Sequence, residues 1–271
     1  MPSSEKSSAL KRAQALIAES RSLCILTGAG ISAESGLGTF RNAGGLWENH
    51  SLEQVATPEG FEANPELVWK FYNARRKAAD VAAPNPAHLA LARLETGFKR
   101  QRRMRRKGLE PEPVKTLSSR QHLVGSLTLL TQNIDGLHQQ AGSQNVVELH
   151  GSVWRVRCTE CHAVTTEHPI ELPLLPFCET CHGLLRPDIV WFGEGLDPDV
   201  LDTAEAAVRA CDVFLVVGTS AVVQPAAMFP FRAARRGIPV IEINLEDTAL
   251  SDVATVSLRG KAGELLPLLT L

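Results

Sequence analysis

The chain has little of several things. It holds one tyrosine, three methionines and 5% aromatic residues. No apolar run approaches the roughly 20 residues that a helical membrane span needs, which excludes such a span. The first twenty residues mix Glu5, Lys6, Lys11, Arg12 and Glu19. They contain no secretory h-region and lack the acid-poor, Arg-rich character of a transit peptide, so a soluble, intracellular, cytoplasmic protein is expected. Cysteine is scarce and unevenly placed: Cys24 and Cys211 sit alone in apolar runs, and the other four form two C-x-x-C pairs. That usage excludes a disulfide scaffold and points to a reducing compartment with metal at the pairs.

What is present is enough for a large core. At 271 residues the chain suits one large domain or two small ones and needs no covalent staples. Its net charge of -2 hides an asymmetry. Lys99 to Lys107 (KRQRRMRRK) holds seven of the 28 basic residues and no acid, leaving 21 basic against 30 acidic elsewhere, a net of -9. Such a run can bind nucleic acid, an anionic membrane surface or an import receptor. No aromatic stacking residue accompanies it, which favours a solvated surface insertion extending to about Gln121, and nucleic-acid binding is not the preferred reading.

Taken in order, the chain alternates helical and strand patterns. Ser3 and Ser4 read as N-caps of a first helix carrying Leu10, Ala13, Leu16 and Ile17 on one face. Leu23 to Leu26 reads as a buried strand running into Gly28-Ala29-Gly30-Ile31-Ser32-Ala33. This is a G-x-G-x-x-A in the strand-to-helix context of a dinucleotide fingerprint, where glycines let backbone approach a pyrophosphate. Glycines also serve ordinary tight turns. An acidic ribose reader should follow about twenty residues later, and Glu48 and Glu53 are the candidates. Gly36 to His50 is a loop or a lid. From Pro58 the pattern is helical, with Leu67, Val68, Phe71, Tyr72 and Arg75 near one side. By spacing alone Tyr72 and Arg75 are a core-edge tyrosine and a solvated arginine.

The centre is Thr131 to Gly151. Apolar Leu127 to Leu130 feeds into Gln132-Asn133-Ile134-Asp135, and Val146 to Leu149 ends on His150. Polar groups at the carboxyl ends of buried strands are where open α/β sheets bind ligands. A histidine there can exchange a proton near neutral pH, although a turn and a capping residue would read the same way. Two C-x-x-C pairs with sixteen residues between them, Cys158, Cys161, Cys178 and Cys181, match a tetrahedral four-thiolate zinc site. Each pair is followed by histidine, His162 and His182, so C-x-x-C-H haem attachment is the competing reading. Asp188 to Glu194 reads as a strand ending on Gly193, an ordinary edge or one that pairs with an extended peptide. Val213 to Val217 and Val240 to Ile243 are further buried strands, ending on Gly218-Thr219-Ser220 and Asn244. Each follows helical sequence, which gives right-handed βα units and a parallel sheet with one polar rim.

These motifs together, GAGISAESG, TQNIDGLH, LHG, the paired C-x-x-C, FGE, VVGTS and INLE, resemble the sirtuin family from Leu23 to about Leu268. The resemblance implies an α/β fold: a Rossmann-like NAD-binding domain (1–46, 123–151, 190–271), a helical module with the basic insertion (47–122) and a zinc ribbon (152–189). It implies an NAD-dependent protein-lysine deacylase that consumes NAD, carries one structural zinc and acts on acyl-lysine proteins or peptides. It implies that Gly28, Ala29 and Gly30 hold the pyrophosphate and that Glu34, Thr39, Phe40, Arg41 and Trp47 belong to the cofactor site. Gln132, Asn133, Ile134 and Asp135 line the ribose and nicotinamide pockets, with Asn133 among the catalytic residues. Gly218, Thr219, Ser220, Asn244, Leu245, Glu246 and Ala262 surround the adenosine half. His150 is the general base, and Val190, Phe192 and Gly193 contact the substrate. The usual Ile-Pro-Asp before Phe-Arg is here Leu37-Gly38-Thr39, and Ala56, Tyr72 and Arg75 match the class III signature. That signature implies a preference for acidic acyl groups such as succinyl, malonyl and glutaryl, with acetyl also accepted. The alternatives are a protein mono-ADP-ribosyltransferase and an NAD-dependent nucleic-acid-binding module.

Overall fold

The computed structural model describes residues 3–38, 46–47, 50–106, 126–166 and 169–269. Helix α1 (Ser3–Glu19) already includes Ser3 and Ser4, so neither is its cap. The Ser20 hydroxyl then donates to the Ile17 carbonyl, and the chain enters β1 (Ser22–Thr27). Two 3-10 turns, Ala29–Ile31 and Ala33–Ser35, follow instead of the regular helix that the glycine motif predicts. Gly36, at φ +85°, ends the second turn in the left-handed region.

Short strands β2 (Leu46–Trp47) and β3 (His50–Ser51) pair antiparallel. Helices α2 (Leu52–Val55), α3 (Pro58–Ala63) and α4 (Pro65–Val81) come next. Their starts are written locally. Proline opens α3 and α4, where its missing N–H costs nothing, and Thr57 and Asn64 accept from the Gly60 and Leu67 amides at 3.0 Å each. Helix α5 (Pro86–Arg106) runs on through the basic stretch, which the sequence predicts as a loop. Arg, Lys, Gln and Met are all good helix formers, nothing between Lys99 and Arg106 breaks a helix, and cations suit a helix C-terminus.

Then come β4 (Ser126–Thr131), α6 (Leu137–Gln140), β5 (Val146–Glu148), β6 (Gly151–Cys158), β7 (Val164–Thr165) and β8 (Leu185–Ile189). The chain closes with α7 (Pro198–Ala210), β9 (Val213–Val217), α8 (Met228–Arg235), β10 (Val240–Asn244), β11 (Val256–Arg259) and α9 (Ala262–Leu269). Among the described residues six strands form one parallel sheet in the order β5-β4-β1-β9-β10-β11. Renumbered within the sheet this is 3-2-1-4-5-6, the doubly wound order, and the strand order reverses between β1 and β9.

Both faces of the sheet are buried. Leu23, Ile25, Leu215 and Val217 pack under α1, α5 and α9, while Cys24, Leu26, Phe214 and Val216 pack under α7 and α8. Fully burying such a side chain contributes roughly 1.5–3 kcal/mol, so a polar residue at Ile25 or Leu215 would be among the worst single changes. A third core joins α2, α3 and α4 to the three-stranded sheet β7-β6-β8. Strand β8 ends at Ile189, earlier than the predicted Asp188–Glu194 strand. Beyond it the chain bridges two layers, with the Val190 amide donating to His150 O and the Phe192 amide to Ala56 O, both at 3.0 Å. No described helix is long and apolar enough to cross a membrane.

Candidate active site

A cavity of about 760 Å³ opens at the carboxyl ends of β1 and β9, where the sheet order reverses. That volume is large for a small-molecule site and suits a dinucleotide plus part of a second ligand.

The turn after β1 and the turn after β9 form its floor. They touch backbone to backbone: the Gly28 amide donates to Val217 O at 3.1 Å and the Gly30 amide to Gly218 O at 2.8 Å. A Cβ on Gly30 would lie 2.7 Å from Gly218 O, and one on Gly218 would lie 2.5 Å from the Ile31 amide nitrogen. These glycines are therefore dictated first by turn-on-turn contact, and the phosphate approach expected from the motif is not what their missing side chains face. Gly28, Ala29, Gly30, Gly218, Thr219 and Ser220 all line the cavity. Gln132 Nε2 donates to Thr219 Oγ1 at 3.0 Å, and Asn244 Nδ2 donates to Thr219 O at 2.8 Å. Asn244, Leu245, Glu246 and Ala262 complete that end. Behind them the buried Glu242 carboxylate accepts from Thr248, Ser251, Ser257 and Arg259, which ties down the chain leaving β10.

The turn after β4 supplies a polar cluster. Ser32 Oγ donates to Asp135 Oδ2 at 2.7 Å and accepts from Asn133 Nδ2 at 3.0 Å. Asp135 Oδ1 accepts from the Leu137 amide, and the Asp135 carbonyl accepts from Trp154 Nε1. His88 Nε2 lies 3.4 Å from Ser32 Oγ, and His88 Nδ1 faces the Asn85 amide at 3.3 Å. Burial pushes His88 down to about 4, against the pull of Asp135, so it is a neutral ring at pH 7. Since the Asn85 amide must donate, His88 carries its proton on Nε2 and donates to Ser32. Ile134 also lines the cavity.

His150 follows the buried Leu149 at the end of β5. Its Nδ1 lies 3.1 Å from Gln132 O. A carbonyl only accepts, so Nδ1 holds the proton and Nε2 is left as the ring's acceptor. Burial lowers its pKa, with the Gln132 bond opposing that shift. The result is a neutral base on the cavity wall. Immediately afterwards Gly151, at φ +78°, turns the chain into β6, and a Cβ there would lie 2.1 Å from Asp188 O. Only glycine fits.

Helix α4 forms the opposite wall. Tyr72 and Arg75 both line the cavity, beside Ala56 from the end of α2. Burial lowers the Arg75 pKa, while Tyr72 and Asp135 pull it back up, and it remains a cation at neutral pH. Its guanidinium lies 5.6 Å from the Phe71 ring centroid. Val190, Phe192 and Gly193 line the same space, with Phe192 47% exposed at its mouth.

Some predicted residues lie elsewhere. Glu34 does not line the cavity; its carboxylate accepts from the Gly263 amide at 2.8 Å and caps α9. Glu53 accepts from Ser51 Oγ at the surface, also away from the cavity, and Glu48 lies outside the described residues. Thr39, Phe40 and Arg41 lie outside them too, as does the side chain of Trp47 in β2. Ser32 and Trp191 line the cavity, and the buried His88 backs Ser32, although the sequence pattern singles out none of the three. Ser32 had a signal, because it sits inside the glycine motif.

The four cysteine sulfurs lie within 4.8 Å of one another, a metal-ligand cluster among the described residues that is separate from the cavity. Cys158 and Cys181 Sγ are 3.4 Å apart, and Cys161 and Cys178 Sγ are 3.8 Å apart. Zinc–sulfur bonds of about 2.3 Å in a tetrahedron require edges of about 3.8 Å, so the set fits zinc. Backbone amides of Cys181 and Thr180 lower Cys178 to about 6, which favours the thiolate a metal needs. Four thiols converging on one point do not suit haem attachment, in which each C-x-x-C-H would hold its own macrocycle. His162 and His182, at φ +58° and +61°, instead close the two metal knuckles in the left-handed region.

Comparison with known proteins agrees with this geometry. The Sir2 family model matches residues 28–107 and 98–225. NAD-dependent protein deacylase 2 of Pyrobaculum aerophilum is 46% identical over 254 residues, covering 93% of this chain and 91% of the relative. The mitochondrial NAD-dependent protein deacylase sirtuin-5 of Xenopus tropicalis is 41% identical, covering 92% and 81%. A crystal structure of a Sir2 homologue with NAD is 44% identical and superposes with a TM-score of 0.80 over 96% of this chain and 92% of that one. The chain belongs to the Sir2 family.

Proposed function

We infer that this chain is an NAD-dependent protein-lysine deacylase, and we propose that it favours acyl groups ending in a carboxylate. The observation that carries the preference is a cation and a phenol, the half-buried Arg75 and the buried Tyr72, lining the same cavity as His150. A small Ala56 leaves room, and a guanidinium can meet a carboxylate through two parallel hydrogen bonds with the phenol adding a third. Succinyl, malonyl and glutaryl are the candidate groups.

Bound as co-substrate, NAD supplies a ribose carbon that becomes electrophilic as nicotinamide leaves. The turn at Gly28–Gly30 holds the pyrophosphate, and Gly218–Ser220 with Asn244, Leu245, Glu246 and Ala262 surrounds the adenosine half. Asn133 and Asp135, fixed by Ser32, orient the carboxamide of the leaving group. Phe192 and Gly193 guide an acyl-lysine peptide so that its side chain enters between the two walls. His150 takes a proton from a ribose hydroxyl on Nε2, while its Nδ1–H bond to Gln132 keeps the ring aimed. A zinc ion held by Cys158, Cys161, Cys178 and Cys181 would tie β6, β7 and β8 together, away from the cavity where the chemistry takes place.

The test is a panel of acetyl, succinyl, malonyl and glutaryl peptides incubated with NAD and read by mass spectrometry. The expected products are lysine peptide, nicotinamide and O-acyl-ADP-ribose, with higher kcat/KM for the acidic groups. Equal kcat/KM across the panel would remove the preference, and label from NAD retained on protein would indicate ADP-ribosyl transfer instead.

A further inference from the structure

A phenol can meet a carboxylate in only one productive way. The hydroxyl both donates and accepts, whereas an ionised carboxylate only accepts, so Tyr72 must present its hydrogen. In a buried pocket the rotor is set by whichever neighbour claims the oxygen first. That neighbour is Trp191. Its Nε1 lies 2.9 Å from the Tyr72 hydroxyl, and both residues are 3% exposed. An indole N–H has no acceptor capacity. Trp191 therefore donates, the phenol oxygen accepts, and the phenol hydrogen is directed elsewhere. Burial raises the Tyr72 pKa to about 12, against the pull of Arg75, so that hydrogen is retained.

The indole is itself held. The Arg186 guanidinium sits 3.5 Å from its ring centroid, and Phe61 packs with ring centroids 5.2 Å apart. Both Arg186 Nη atoms reach the Glu194 carboxylate, at 2.7 and 2.8 Å, and Glu194 also accepts from the Trp191 backbone amide at 2.8 Å. Glu194 lines the same cavity and would otherwise compete with a substrate carboxylate for Arg75. Bound in this way, its charge is spent on Arg186.

We propose that Trp191 is a positioning residue for acyl selection: by donating to Tyr72 it fixes the phenol as a donor toward the carboxylate end of the acyl group, with Arg186 and Glu194 holding the indole in place. The proposal rests on the acidic-acyl reading above. It makes Trp191 matter through one hydrogen atom, which packing alone would not.

The test compares succinyl and acetyl peptides. Trp191→Phe keeps an aromatic ring beneath Arg186 and removes the N–H. The succinyl-to-acetyl ratio of kcat/KM should fall about tenfold, mainly through the succinyl KM, the size expected for one lost hydrogen bond to a charged partner. Site-specific incorporation of benzothienylalanine at 191 keeps the ring shape, lacks the N–H and should give the same fall if Trp191→Phe folds poorly. In a Tyr72→Phe background either change should leave the ratio where Tyr72→Phe alone sets it. An unchanged ratio in the folded benzothienyl protein, or an equal fall without the Tyr72 hydroxyl, would overturn the proposal. Arg75→Met is measured alongside. If its ratio falls while that of the 191 variants does not, the pocket reading stands and only the role of Trp191 is lost; if neither falls, both are overturned.

Discussion

The two walls of the cavity are made by different means. The sheet wall is built from turns at strand ends, where parallel register fixes the positions of Gly28, Asn133, His150 and Gly218. The helix wall depends on which side chains α4 turns inward, and on what keeps α4 in place. Arg75 and Arg76 show the contrast within one turn. Arg75 lines the cavity. Arg76, 2% exposed, donates from Nε, Nη1 and Nη2 to the carbonyls of Ile170, Val153 and Pro169 at 2.6–2.7 Å, while Asn73 pairs with Leu172 in both directions. The first arginine faces the cavity, while the second anchors the helix to the cysteine ribbon.

Removing the metal should separate the walls most sharply. Chelation, or Cys158→Ser with Cys178→Ser, should unfold the ribbon and release α4. Deacylation should be lost while calorimetry still detects nucleotide binding at the sheet wall; loss of both together would mean that the walls are one cooperative unit. His150→Ala breaks the sheet wall alone. Turnover should drop roughly 10²–10⁴-fold with NAD and peptide still bound, and a variant keeping most activity would remove the base. Arg75→Met breaks the helix wall alone. It should cost the succinyl substrate about 2–5 kcal/mol in kcat/KM, the range for a charge left buried without its partner, and far less on acetyl. Arg76→Met should do the reverse, lowering stability by about 3 kcal/mol, near 1 for each buried carbonyl left unpaired, with the acyl ratio preserved.

Acid sharpens the comparison with the smallest effect. His150 titrates below 6.5 because burial disfavours its charged form. It must be neutral to act, so kcat/KM should rise with pH below 6.5 and be flat from neutrality upward. His88 has a folded pKa of about 4, below its unfolded value near 6.5. Below 6.5 the unfolded chain binds more protons, so stability should fall as pH drops from about 6.5 to about 4. A Tm that stays constant across that range would contradict a buried neutral His88.

Much of this was legible in the chain. Strands announced themselves as apolar runs ending on Gly, Asn or Asp, and the cysteine spacing forecast a cluster that lies within bonding reach of one ion. Those signals are local. What escaped was long-range: Trp191 meets Tyr72 across 119 positions, and His88 meets Ser32 across 56. Helical spacing could not rank Arg75 against Arg76 either, because the carbonyls that claim Arg76 come from Val153 and from residues 169–170. The basic run stands out by its charge, whereas its helicity lies in the propensity of Arg, Lys, Gln and Met. Glu34 resembles a cofactor residue in its motif, yet it serves α9.

The glycine contact at the floor has one more consequence. Gly28, Gly30 and Gly218 rivet the two halves of the sheet together at the place where dinucleotides bind, with no side chain between them to swing aside. Among the described elements, widening that admits a peptide or releases a product falls to the α4 side, so mobility measured during turnover should be greater in α4 than in the riveted turns.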